Sequence, residues 1–151
     1  MNGVMRRKSG FTIMELMIVV SIIAVMSAIA VPNFTNWAPK FRLWSATDDI
    51  VKHLMLARMT AISQNRDVAV SFFKSEGAYR IVHKSGTENY ALPNAILFGD
   101  LPITTITFNS TGQADVNLTI RIYADSPRLL DNKRTIQVRA ITGMITSAEG
   151  W

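Results

Sequence analysis

From Phe11 to Val31 the chain is apolar at almost every position, 21 residues with a single ionisable group, Glu15. Built as a helix at about 1.5 Å per residue, this run is roughly 31 Å long and matches the hydrocarbon core of a bilayer. It is longer than the about 7–15 apolar residues of a secretory signal peptide, and it continues into a helical pattern rather than a loop. A buried soluble helix of such uniform apolarity would need more chain around it than residues 33–151 supply. An uncleaved signal anchor stays open at this point. Arg6, Arg7 and Lys8 stand just before the run and place the N-terminus in the cytoplasm by the positive-inside rule.

Beyond the run, Pro32 and Pro39 predict a bent or loosened stretch around 28–40, because each proline removes one backbone hydrogen bond. Phe34, Trp37, Phe41, Trp44, Val51, Leu54, Ala57, Ala61 and Ile62 recur at helical spacing, which predicts an amphipathic helix reaching to about Gln64. The C-terminal half of this stripe reads as core. Phe34 to Trp44, nearest the membrane, read as facing neighbours in an assembly. After Asn65 the period changes to two. Residues 67–73 and 78–83 flank Lys-Ser-Glu-Gly and predict a hairpin. Residues 89–92 and 95–98 flank the turn signal Pro93-Asn94. Residues 105–110 and 115–124 flank Thr111-Gly112 and predict another hairpin; residues 135–142, Gly143 and 144–146 follow. One long helix and then short strands make an α+β arrangement, with the helix packed on antiparallel sheet.

Charge and composition remove more functions than they suggest. Arg6, Arg7 and Lys8 supply +3 of the formal +5, leaving +2 on the rest of the chain, too little for a bulk-charge argument for nucleic acid. There is no cysteine, so no disulfide, thiolate metal site or thiol nucleophile. The two histidines, His53 and His83, have no metal-ligand spacing. Asp48 and Asp49 are adjacent, so on a helix they diverge by about 100 degrees and do not share a site. No catalytic group, cofactor site or metal site is predicted. For Arg58 two readings stand: its stem follows the apolar border while its head reaches a strand carbonyl, or it is simply solvated.

Glu15 needs a partner. A carboxylate at bilayer depth costs roughly 2.5–3.5 kcal/mol even on the lenient insertion scale. The stretch Lys-Ser-Gly-Phe-Thr-Ile-Met-Glu-Leu and the apolar run to Pro32 resemble the N-terminal signature of type IV pilins and type II secretion pseudopilins. That resemblance implies cleavage by a prepilin peptidase between Gly10 and Phe11 and N-methylation of Phe11. It implies that Glu15, then the fifth residue, pairs with the Phe11 ammonium of a neighbouring subunit. Met5 opens Met-Arg-Arg-Lys-Ser-Gly as a second candidate start. Residues 48–72, 106–114 and 134–145 also resemble the GspH/FimT group of minor pilins. The implied organisation is a leader at 1–10, a transmembrane and filament-core helix at 11–31, an amphipathic helix at 32–64 and a β-rich periplasmic head at 65–151. The implied partners are other pilins, the prepilin peptidase and inner-membrane lipid. The implied location is the inner membrane as a single pass, and then a pilus or pseudopilus.

Two other classes are weighed beside this one. Some FimT-like pilins are implicated in DNA uptake through a basic motif near the C-terminus, but here no cation follows Arg139. Arg128, Lys133, Arg134 and Arg139 remain as weak candidate DNA contacts, with no aromatic residue interleaved in sequence for base stacking. A solvated basic loop accounts for them better. The remaining class is a single-span periplasmic enzyme or binding domain whose N-terminus only resembles a pilin.

Overall fold

A computed structural model of the chain describes residues 11–83, 86–126 and 132–150, and side chains at 30–36 are not among those described. The predicted leader with Arg6, Arg7, Lys8 and Gly10, as well as Arg128 and Trp151, lies outside the described residues, as do the side chains of Pro32 and Phe34. The chain divides into two units, residues 1–35 and 36–151.

Helix α1 runs from Ile13 to Gln64. Its start is set by Thr12. The Thr12 carbonyl accepts the first helical bond from Leu16 N, and its Oγ1 accepts from Glu15 N at 3.2 Å. Thr-x-x-Glu is the capping-box spacing, and it places the Glu15 carboxylate in the first turn, at the positive end of the helix dipole. The end is set by Asn65. With φ 50° it turns left-handed, Asn65 N donates to Ile62 O, and Arg66 N donates to Ala61 O. Those two bonds form a Schellman cap, with asparagine where glycine is usual.

In the second unit, α1 and two four-stranded antiparallel sheets share one core. The first sheet has the order β3-β2-β1-β5, with β1 Val68–Phe73, β2 Ala78–His83, β3 Gly86–Ala91 and β5 Thr105–Phe108. The second has the order β4-β6-β7-β8, with β4 Ile96–Phe98, β6 Leu118–Ala124, β7 Lys133–Val138 and β8 Ile145–Glu149. Alternate residues point inward: Val68, Val70 and Phe72 on β1, and Leu118, Ile120, Ile122 and Ala124 on β6. From α1 the buried seam is Leu43, Thr47, Ile50, Leu54, Ala57 and Ala61, spaced by four and three residues, with Ala46 beside it. Thr47 hides its hydroxyl by donating to Leu43 O at 2.7 Å.

The first predicted hairpin forms, with Ser71 opposite Arg80 and Gly77 at φ 58° closing the turn. The hairpin predicted over 105–124 forms only at its tip. Asn109 N donates to Gln113 O and Asp115 N to Thr107 O, with a bridge between Phe108 and Ala114, but beyond that β5 pairs with β1, and β6 pairs with β4 and β7. Asp115 and Asn117 explain the difference. Both look like alternating strand residues, but the Asp115 carboxylate accepts from Thr107 N, and Asn117 Oδ1 accepts from Ala140 N, each at 2.9 Å. They cap other backbone groups instead of extending β6. Pro93-Asn94 is a turn as predicted, yet it carries the chain from one sheet to the other, helped by Ala95 at φ 68°. The strand predicted over 135–142 stops at Val138, where Arg139 to Met144 form a turn closed by Gly143 N donating to Arg139 O.

Candidate functional site

The apolar residues of α1 in the first unit are exposed on every side, from Ile13 at 81% to Ile29 at 66%. Its hydroxyls are satisfied within the helix: Ser21 donates to Met17 O at 2.7 Å and Ser27 to Ile23 O at 2.8 Å. Apart from the Glu15 carboxylate, the described side chains of this helix leave no polar group open, which suits hydrocarbon or a bundle of similar helices. Among the described residues no helix is long and apolar enough to cross a membrane. The predicted span 11–31 includes positions 30–31, whose side chains are not among those described.

In the second unit α1 carries two apolar seams roughly 130 degrees apart around its axis. The outer one is Trp37, Phe41, Trp44, Met55, Met59 and Ile62, all exposed. Asp48 and Lys52 fill its middle turn as an ion pair at 2.5 Å. Trp37 and Phe41 stack with centroids 5.0 Å apart. The single stripe read from the sequence therefore merges two seams. Both have three- and four-residue spacing, so period alone does not say which is inside. The sheets cover the seam containing Ala46, Ala57 and Ala61, whose small side chains let strands approach closely. Phe41 and Trp44 face outward.

Arg58 joins the helix to the two turns that follow β5 and β7. Its Nε donates to Gly112 O at 2.9 Å and its Nη2 to Thr142 O at 3.1 Å. Of the two readings the carbonyl-reaching one holds, with turn carbonyls in place of strand ones. A Cβ on Gly143 would lie 2.0 Å from Gly112 O, and one on Gly112 would lie 2.6 Å from Ile62 Cδ1. Both glycines are needed for the turns to meet beneath Arg58.

The two histidines, far apart in sequence, enter one cluster. His53 shares a 2.6 Å hydrogen bond with the Tyr79 hydroxyl and stacks on Tyr90 at 3.8 Å. Tyr90 donates to Glu88 Oε2 at 2.5 Å, and His83 Nε2 lies 3.4 Å from Glu88 Oε1. Burial pushes the Tyr79 phenol up. Tyr90 and His83 hold the Glu88 carboxyl below its usual range. The cluster ties α1 to β2 and to the edge strand β3. Sequence reasoning missed it because nothing local signals that Tyr79 and Tyr90, opposite each other in register, both meet His53.

The described basic residues, Lys133, Arg134 and Arg139, do not converge. Arg134 points inward at 3% exposure, with Nη1 2.6 Å from Glu149 Oε1. Lys133 and Arg139 stand at opposite ends of β7. Among the described residues no group of three or more metal-ligating side chains occurs.

The family described as Type II transport protein GspH matches residues 46–142, and the prokaryotic N-terminal methylation motif matches residues 5–31. The chain belongs to the GspH family. The GspH match runs from Ala46 on the buried seam to Thr142, and so encloses the Arg58 clasp. Two curated fimbrial proteins of Pseudomonas aeruginosa are 32% identical over 77 residues, 51% of this chain and 49% of theirs. The matched region spans about half the length of those relatives. The type IV minor pilin FimU of Pseudomonas aeruginosa superimposes with a TM-score of 0.57 at 18% identity, over 74% of this chain and 92% of that one. The minor pseudopilin EpsH of the Vibrio cholerae type 2 secretion system gives 0.55 at 15%, over 70% and 94%. These similarities establish the pilin fold for this GspH-family chain.

Proposed function

We propose that this chain is a minor pilin or pseudopilin, a non-enzymatic subunit that enters the filament of a type IV pilus or a type II secretion system. The observation that carries the reading is the exposed apolar helix Ile13–Ile29, within a segment that matches the N-terminal methylation motif. The leader 1–10 is cut after Gly10 by a prepilin peptidase, and Phe11 becomes the methylated N-terminus. Before assembly the segment 11–31 holds the protein in the inner membrane, with Arg6, Arg7 and Lys8 on the cytoplasmic side and the head in the periplasm. Pro32 and Pro39 give the helix a place to bend between its membrane and head portions.

On assembly the helix leaves lipid for a bundle of similar helices. Both surroundings are apolar, so the hydrophobic effect contributes little and packing must favour the transfer. Ala24, Ser27 and Ala28 let neighbouring helices approach closely. Glu15 adds selectivity. Glu15 lies in the first turn of the helix, where a neighbour's Phe11 ammonium neutralises its carboxylate. Removing one side of such a pair leaves a buried, uncompensated charge. Glu15→Ala should therefore leave membrane insertion intact and lower filament incorporation by about tenfold or more. Incorporation equal to wild type, measured by immunoblot of sheared filaments, would contradict the pairing.

A further inference from the structure

We propose that before assembly the face of α1 carrying Trp37, Phe41 and Trp44 lies in the headgroup layer of an anionic phospholipid bilayer, with Lys40 and Arg42 on the lipid phosphates. This rests on the reading of 11–31 as the membrane-held segment and adds an interfacial contact to it. The order of the chain brings this face to lipid. At the helical rise of about 1.5 Å per residue, Trp37 follows Val31 by about 9 Å, and the headgroup layer on each side of a bilayer is about 5–8 Å deep. Trp44 lies two turns further on and meets the same layer when the head leans on this face. The sheets cover the other seam of the helix, roughly 130 degrees away, and leave these three rings each more than half exposed.

The chemistry of the face fits an interface better than water or hydrocarbon alone. Trp37 and Phe41 stack with centroids 5.0 Å apart. A tryptophan has an apolar body and a polar N–H, so it settles where acyl chains give way to headgroups. The charges match an anionic surface. Residues 16–47 contain no acid, and their only charged side chains are Lys40 and Arg42. Both are exposed, and neither has an acid within four residues along the helix. Lys40 stands about 60 degrees from Trp37 and Arg42 about 100 degrees from Phe41, on the two flanks of the seam. Such long side chains lay their stems along apolar surface and hold their charges in the polar layer. Asp48, the first acid after Glu15, ends this belt and is paired with Lys52. Beyond it the seam continues as Met55, Met59 and Ile62, with no aromatic ring.

The two cations also work against the orientation of the chain. Arg6, Arg7 and Lys8 on the cytoplasmic side face Lys40 and Arg42 on the other, three against two. Anionic headgroups give the translocated pair a stabilising partner on its own side of the membrane.

The full chain tests this in vesicles of phosphatidylethanolamine and phosphatidylglycerol, with some of the lipid brominated near the carbonyl end of its chains. Retention is checked by an alkaline carbonate wash. With Trp151→Phe throughout, Trp37→Phe leaves Trp44 as the reporter and Trp44→Phe leaves Trp37. Both reporters should be blue-shifted and quenched by the brominated lipid. Met59→Trp, in a chain whose three native tryptophans are phenylalanine, should not be. Exchange of phosphatidylglycerol for phosphatidylcholine, or Lys40→Gln combined with Arg42→Gln, should lower the quenching of Trp44 severalfold with an unchanged thermal midpoint. A retained chain whose Trp44 is quenched no more than Met59→Trp would overturn the proposal. So would quenching that grows with the ratio of protein to lipid, which marks contact between subunits, or quenching indifferent to both changes of charge. Each of these leaves the filament-subunit reading standing. A chain released by carbonate would defeat both.

Discussion

Arg58 shows how one side chain fixes the relation between a helix and two distant turns. It donates two charge-assisted bonds to carbonyls 54 and 84 residues away. Each such bond contributes about 1.5–3 kcal/mol, and partial exposure favours the lower end. Arg58→Ala is expected to destabilise the head by about 2–3 kcal/mol in urea unfolding, with Arg58→Lys intermediate because it lacks the planar fork. The glycines give a sharper contrast. Gly77→Ala meets open space and should cost only the left-handed penalty of about 1–2 kcal/mol. Gly143→Ala must in addition displace the Gly112 carbonyl, so its cost should be clearly larger. Tyr79 contributes to the alkaline behaviour. Its folded phenol is raised above the usual value near 10, so above about pH 10 the unfolded chain loses the proton first. Stability is then complete below that pH and falls as pH rises. Tyr79→Phe should flatten this limb in urea titrations at pH 9–11, while lowering neutral-pH stability by about 1 kcal/mol for the lost bond to His53. The reach of Arg58 was legible in its position one residue after Ala57. Its two partners were not, because they are carbonyls presented by turns that only the finished fold brings together.

At the scale of elements, the helix was read well at both ends. Asn65 marks its C-terminus in sequence as in structure, and the change of period at residue 67 marks the first strand. Strand partners were read less well. Alternation tells which residues form strands, but a strand carries two edges and the pattern does not name the neighbour on either. The segment 105–124 resembled a full hairpin for that reason, until the side chains of Asp115 and Asn117 proved to be bonded to β5 and to the turn after β7. The two seams of α1 illustrate the same limit for helices. One consequence is measurable. Trp37, Phe41 and Trp44 contribute little to the isolated fold because they remain exposed. Leu54, by contrast, is fully buried, and Leu54→Ala should cost about 2–5 kcal/mol. A thermal-shift comparison of Leu54→Ala with Phe41→Ala should show a large loss for the first and a small one for the second.

At the scale of the whole molecule, a single chain joins a helix that is apolar on all sides to a head that buries a mixed core. The head is an α+β unit with its own buried core. The helix alone has nowhere in water to place residues 13–29. The filament-subunit reading resolves this by giving the helix lipid first and other helices afterwards, with removal of the leader as the step that permits the change. N-terminal sequencing and intact-mass analysis of the protein purified from membranes test that claim most directly. The account predicts a chain that begins at N-methylated Phe11, and a chain that still carries Arg6-Arg7-Lys8 would contradict it.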